Sequence, residues 1–158
     1  MIPKNVIDNT VNALRSFGTR AVAHEGIVYW AGVSVDQRVL VTTCMIPSAH
    51  TTQGSYQTSA LANAEVISLV NRHHIQLIGQ THSHPGTWVD HSLGDIRGAF
   101  MPYEGFFSIV VGRYARRGML PLEELCGIHV YHNRSFVRLS KTQVQRNMHV
   151  IPSVADLR

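Results

Sequence analysis

Along the first stretch of the chain, Ile7, Val11, Leu14 and Phe17 recur at helical spacing and Gly18 follows them, which predicts a helix over residues 5 to 17 with a glycine stop. The period then shortens. Arg20 to Val35 and Val39 to Ile46 are rich in β-branched, aromatic and small residues, and VDQR between them predicts a turn joining two strands. Helical spacing returns over Ser59 to Arg72, with Leu61, Ala62, Val66, Leu69 and Val70 on one face. The nearly continuous apolar run IQLIGQ reads as a short buried strand, and it delivers His82 and His84 at its carboxyl end. Past a loop with Pro85, Gly86 and Trp88, LGDIRGAFM has the length of a short helix. FFSIVVG, GIHVYH and FVRLS read as three strands, the last two joined at Asn133 and Arg134. Lys141 to Met148 is expected to be a closing helix, and Pro152 to end regular structure.

This order predicts an α/β fold with helices covering a mixed β-sheet and with the polar cluster beyond the strand ends, where such sheets place sites. At 158 residues the chain suits one domain over 1–158 with a core that needs no staples. Hydrophobic residues are 44% and charged residues 15%, a globular balance, and no internal repeat or linker interrupts it. No apolar run reaches the roughly eighteen residues of a membrane span. The start MIPKNVIDNTVNAL carries polar residues where a secretory signal has its apolar core, so a cytoplasmic protein is expected. Cys44 and Cys126 stand singly in apolar surroundings and read as two buried thiols.

The formal charge of +4 is uneven: from Ile96 onward nine Lys and Arg face four Asp and Glu, whereas the earlier part nets −1. Arg113, Arg116 and Arg117 are the densest cluster. Without interleaved aromatics, a recognition-helix pattern or a long basic run, this reads as a solvated basic surface and not as a nucleic-acid interface.

The chemistry is concentrated in THSHPGTWVDHSLGD, Thr81 to Asp95. Histidines at i and i+2 of a strand point to one side, so His82 and His84 offer two imidazole nitrogens to one metal. Zinc takes such nitrogens with a carboxylate oxygen and keeps a fourth place for water in catalytic sites. Asp95 is the carboxylate that returns after the Pro-Gly loop, and Asp90 competes with it on distance alone. Ser92 and Asp95 also read as a helix capping box. Taken jointly, the spacing H-x-H, seven residues, S-x-x-D arises by chance roughly once in 700 sequences of this composition.

That spacing, at His82, His84, Ser92 and Asp95, resembles the signature of the JAMM (MPN+, JAB domain) zinc metalloproteases. The family also has an upstream glutamate at the start of a strand that ends in glycine. Glu25 fits in EGIVYWAG, with Gly32 closing the segment; of the five glutamates, Glu65 lies in the second predicted helix and the other three follow the motif. The resemblance implies an MPN (JAB) domain with a cytidine-deaminase-like α/β/α architecture. It also implies one zinc held by His82, His84 and Asp95, Glu25 as general base, and Ser92 as hydrogen-bond donor to the oxyanion. Trp88 either grips an extended peptide or packs its loop down. His91 reads as a loop histidine, His24 as a surface one, and His73 and His74 as the polar end of a helix.

The resemblance further implies hydrolysis of the peptide or isopeptide bond after the C-terminal tail of ubiquitin or a ubiquitin-like protein. The short run from Asp95 to FFSIVVG leaves little room for an insertion, which looks like a compact, prokaryotic-type member. Such relatives are encoded beside ubiquitin-activating-like and ubiquitin-conjugating-like enzymes, including in anti-phage operons. Processing of a sulfur-carrier protein is the alternative for the same chemistry, and a non-catalytic MPN scaffold the alternative without it. A nucleoside deaminase is set aside because H-x-E with P-C-x-x-C is absent.

Overall fold

The computed structural model describes residues 1–19, 21–36 and 38–153. Arg20 at the predicted start of the first strand, Gln37 of the VDQR turn and residues 154–158 lie outside the described residues. In chain order the elements begin with β1 (Ile2–Pro3), α1 (Lys4–Ser16), β2 (Ile27–Val35) and β3 (Arg38–Met45). A hairpin β4 (Ala49–Thr52) and β5 (Ser55–Thr58) precedes α2 (Ala60–Arg72) and β6 (Gln76–Ser83). Then come α3 (Leu93–Gly98), β7 (Phe107–Val111), a single turn at Arg113–Ala115, α4 (Leu122–Leu125) and β8 (Cys126–His132). The chain closes with β9 (Ser135–Arg138), α5 (Lys141–Asn147) and β10 (Val150–Ile151).

Six strands form a mixed sheet in the order β3-β2-β6-β7-β8-β9, in which β6 and β7 are the parallel pair and the other neighbours are antiparallel. The alternation of side chains along β2 divides the core. Val28 and Trp30 pack with Ile7, Val11 and Leu14 of α1, whereas Ile27, Tyr29 and Ala31 pack with Val66 and Val70 of α2. The Trp30 indole donates to Thr10 Oγ1 at 2.8 Å, so its polar handle is satisfied inside the first layer. Helices thus cover both faces of a mixed sheet, as the element order predicts. None of the helices among the described residues is long and apolar enough to cross a membrane.

The departures from expectation have local causes. Strand β2 begins at Ile27 instead of Arg20, because Gly18 at φ +97° reverses the chain and the Thr19 amide donates to the Val22 carbonyl. The apolar residues near Ala23 therefore lie in a connection. Along α2 the buried stripe is Ala62, Val66 and Val70, and Leu61 and Leu69 face solvent. Cys44 is half-buried where Cys126 is fully buried, and both are free thiols. The β4–β5 hairpin was not foreseen, although AHTTQGSYQT alternates around a Gln-Gly turn; its strands are too short and polar for a strong period-two signal.

Candidate metal centre

The centre forms where β6 runs out beside its parallel neighbour β7. In the antiparallel register of β2 and β6, Ile27 lies opposite His82, and the pairing continues past the strand ends. The Ser83 amide donates to the Gly26 carbonyl at 3.1 Å and the Gly26 amide to Ser83 Oγ at 3.0 Å. The next residue on each strand is Glu25 and His84, which is how a glutamate far upstream arrives beside the histidines. The Glu25 amide donates to the Thr52 carbonyl of β4 at 2.8 Å, and the His84 amide to the Val111 carbonyl of β7 at 2.8 Å.

Ser92 caps α3 in a complete capping box: its Oγ accepts from the Asp95 amide at 3.1 Å and its own amide donates to Asp95 Oδ2 at 2.7 Å. The cap and the metal set coexist, because the cap is what aims the Asp95 carboxylate. His82 Nε2 lies 3.2 Å from Asp95 Oδ1, His84 Nε2 lies 3.3 Å from Asp95 Oδ2, and the two Nε2 atoms are 3.2 Å apart. A tetrahedral ion with ligand distances of about 2.0–2.1 Å needs donors roughly 3.3 Å apart. The two imidazoles and the carboxylate lie near that spacing, with Oδ1 toward His82 and Oδ2 toward His84, and they offer the donor chemistry such an ion takes. His84 Nδ1 meets the Trp88 carbonyl at 3.2 Å, an outer partner that directs the Nε2 lone pair toward the other two donors.

The protonation pattern agrees with this reading at Asp95 and His82, whereas His84 is shifted toward its protonated form. Burial works to raise the Asp95 pKa, yet hydrogen bonds from His82 and His84 hold its carboxyl well below the usual carboxylate range. Burial depresses His82, which favours the neutral imidazole that a metal requires. His84 is raised: burial pulls it down, and the hydrogen bond and charge of Asp95 outweigh that pull. Glu25 is buried, at 5% exposure, and burial pushes its carboxyl up to about 7, with His84 opposing and Asp95 reinforcing the rise. It is not the water-facing strand-end carboxylate that its position alone would suggest.

Asp90 is removed from competition as a ligand. Its Oδ1 accepts from His129 Nε2 of β8 at 2.7 Å and its Oδ2 from Arg138 Nη1 of β9 at 3.0 Å. His91 is likewise tied down instead of loose: it meets Ser108 Oγ at 2.9 Å and stacks on His129 at 3.8 Å between ring centroids. Burial, followed by the charges of His129 and His82, pushes His91 down to about 3, so it is neutral. His24 is half-buried and meets Thr51 Oγ1 at 3.1 Å, and His73 and His74 are exposed at the end of α2 as expected. Of the two roles considered for Trp88, the structure shows the packing one. It stacks on His84 with centroids 5.3 Å apart and remains 57% exposed at the rim.

This loop lies directly on the sheet because β8 has no side chain at Gly127. A Cβ there would sit 1.6 Å from the Val89 carbonyl oxygen. Gly127→Ala is expected to push the loop that joins His84 to Ser92 off the sheet, at an overpacking cost of about 1–3 kcal/mol. Thermal unfolding together with metal content checks it: an unchanged Tm and unchanged metal binding would show that the loop is not seated through Gly127.

Between the loop and the β4–β5 hairpin is an open cleft of about 430 Å³, onto which Glu25, His84, Ser92 and Asp95 face. Tyr56 of the hairpin was missed from sequence; it is half-buried, with its hydroxyl enclosed, and packs on His82 at 5.2 Å between centroids. Its only sequence signal is an aromatic in an alternating polar run. The turn Arg113–Ala115 was missed as well: its three residues have φ of 55°, 50° and 57°, and none is glycine. That conformation costs on the order of 1–2 kcal/mol per residue, and no residue-type rule announces it.

No family model matches the chain. It is 30% identical over 119 residues, 73% of its length and 72% of the other's, to a protein of Sinorhizobium fredii named "Probable metalloprotease y4jG". Among solved structures, a protein from Desulfitobacterium hafniense aligns over 88% of both chains at TM-score 0.65 and 14% identity. One from Salinibacter ruber aligns over 88% of both at TM-score 0.57 and 16% identity; both likenesses speak for the fold alone. A JAB1/MPN domain protein from Archaeoglobus fulgidus aligns over 88% of this chain and 94% of its own at 16% identity and TM-score 0.46, too loose for anything to rest on it. With the donors of the H-x-H…S-x-x-D motif converging on one point at the end of β6, and with a metalloprotease-named relative matched over nearly three quarters of its length, the chain belongs to the JAMM/MPN metalloprotease family.

Proposed function

We propose that the protein is a zinc-dependent peptidase or isopeptidase that hydrolyses the bond after the C-terminal tail of a ubiquitin-like protein. The observation that carries this reading is the three-donor triangle with Glu25 and Ser92 on the same open cleft. The residues present fit zinc: His82 Nε2, His84 Nε2 and one oxygen of Asp95 would hold it. When bound, the ion supplies Lewis acidity and brings the pKa of a bound water toward neutrality.

Glu25, with a carboxyl near neutrality, is suited to take a proton from the attacking water and pass it to the leaving nitrogen as the C–N bond breaks. Ser92 Oγ accepts from the Asp95 amide, which leaves the hydroxyl proton free to donate toward the oxyanion. The cleft walls are poor in side chains. Gly54, Gly86, Gly94 and Gly98 line it, and a Cβ at Gly54 or Gly98 would meet nothing within 4 Å. We infer a cytoplasmic setting, with activating-like and conjugating-like enzymes of the same operon supplying the conjugates, including in anti-phage defence. Release of a sulfur-carrier tail would use the same chemistry.

The test is zinc per chain by elemental analysis combined with cleavage of ubiquitin-like fusions extended beyond Gly-Gly. One zinc and cleavage after the second glycine are expected. Zinc-free protein that cannot be reconstituted would leave a non-catalytic MPN scaffold as the reading. Ser92→Ala is expected to lower kcat about 100-fold with KM nearly parental, and to cost about 1 kcal/mol of stability through the lost cap. A lower Tm with full kcat would reduce Ser92 to a helix cap.

A further inference from the structure

The general base and the metal ligands sit on different elements, and the strand pairing that brings them together stops at Gly26 and Ser83. Glu25 lies beyond that last pair and needs a second restraint. Its amide is held by the Thr52 carbonyl at 2.8 Å, but β4 and β5 form a two-stranded hairpin separate from the main sheet. Such a hairpin is marginal unless something fixes it from outside.

Tyr114 supplies a fixed point. Its amide donates to the His84 carbonyl at 2.8 Å, and its phenol donates to the Gln53 carbonyl, at the hairpin turn, at 2.7 Å. One residue thus spans from the backbone of a metal-site histidine to the peptide next to the one that holds Glu25. Its left-handed backbone turns the ring toward the hairpin, and the surroundings over-determine that conformation. The Arg113 amide donates to the Gly86 carbonyl at 2.7 Å, Ala115 is fully buried, and Arg15 Nε donates to the Ala115 carbonyl at 3.0 Å. Further ties to this hairpin among the described residues are His24 to Thr51 and the packing of Tyr56 on His82.

We propose that Tyr114 is a positioning residue whose hydroxyl fixes the β4–β5 hairpin against the His84 loop and so sets the placement of Glu25 relative to the metal donors. This rests on the proposed hydrolysis only for its kinetic arm. Tyr114→Phe keeps the ring and the backbone and removes one O–H. In the zinc-loaded variant the Glu25 amide is expected to exchange with solvent about 5–10-fold faster, the worth of one hydrogen bond, with the Thr81 amide in the central strand unchanged. Zinc should remain at one per chain, and kcat on a ubiquitin-like fusion should fall by a similar factor at unchanged KM. Gln53→Ala keeps the accepting carbonyl and should match the parent in every readout. Parental exchange at Glu25, or a loss that appears in KM or zinc content instead of kcat, would overturn the assignment. If the parent cleaves no ubiquitin-like fusion, the substrate reading fails while amide exchange still decides the role of Tyr114.

Discussion

Glu25→Gln is expected to retain one metal ion per chain and to lose hydrolysis by about 10²–10⁴-fold, the range that a positioned general base contributes. The glutamine amide matches the carboxylate in shape, so the bond from the residue 25 amide to the Thr52 carbonyl and the pairing of Gly26 with Ser83 should persist. What disappears is the site that accepts a proton. Burial pushes the Glu25 carboxyl up to about 7, where a group can both gain and release a proton during turnover. The loss should fall on kcat, measured at fixed metal occupancy. Turnover at the parental rate would remove Glu25 from the mechanism and leave the buried carboxylate without a chemical role.

His84→Ala should act on the metal itself. It deletes one of three donors, opens the set at a corner that faces the cleft and takes away the ring on which Trp88 stacks. Affinity should drop well beyond the 10–100-fold that an outer partner is worth, and hydrolysis should vanish with it. Bound metal stabilises the folded state by mass action, about 4 kcal/mol at a thousandfold excess over Kd. Parent protein should therefore lose thermal stability on chelation and regain it with zinc, and His84→Ala should respond to neither treatment. Stoichiometric, tight zinc in His84→Ala would mean that the donors are not those of the triangle. The pair of variants separates chemistry from binding, because a base mutant and a ligand mutant look alike in an activity assay alone.

Much of the fold was legible because its signals are local. The helical spacing of α1, the apolar run of β6 and the turn at Asn133 and Arg134 each act within a few residues. The hairpin β4–β5 escaped because four-residue polar strands carry almost no hydrophobic period. The over-long first strand came from reading Ala21, Val22 and Ala23 by composition, when the glycine at position 18 had already reversed the chain. Distance from the histidines alone does not rank Asp90 and Asp95, whereas the H-x-H…S-x-x-D spacing selects Asp95. The difference between them is that His129 and Arg138, about forty and fifty positions downstream, engage Asp90 and leave Asp95 to the histidines.

By itself the sequence determined the donor types and their order, His82 and His84 on one side of a strand and Asp95 in the first turn of a capped helix, because strand alternation and capping are short-range effects. The resemblance pointed to Glu25 from its order in the chain, and only the tertiary structure decided that it lies beside the three donors. The β2–β6 register joins Gly26 to Ser83 across 57 positions, and register depends on which faces are buried, which no local window contains. The same holds for the left-handed turn at Arg113–Ala115, a conformation that its residue types disfavour and that persists through bonds to the loop it supports.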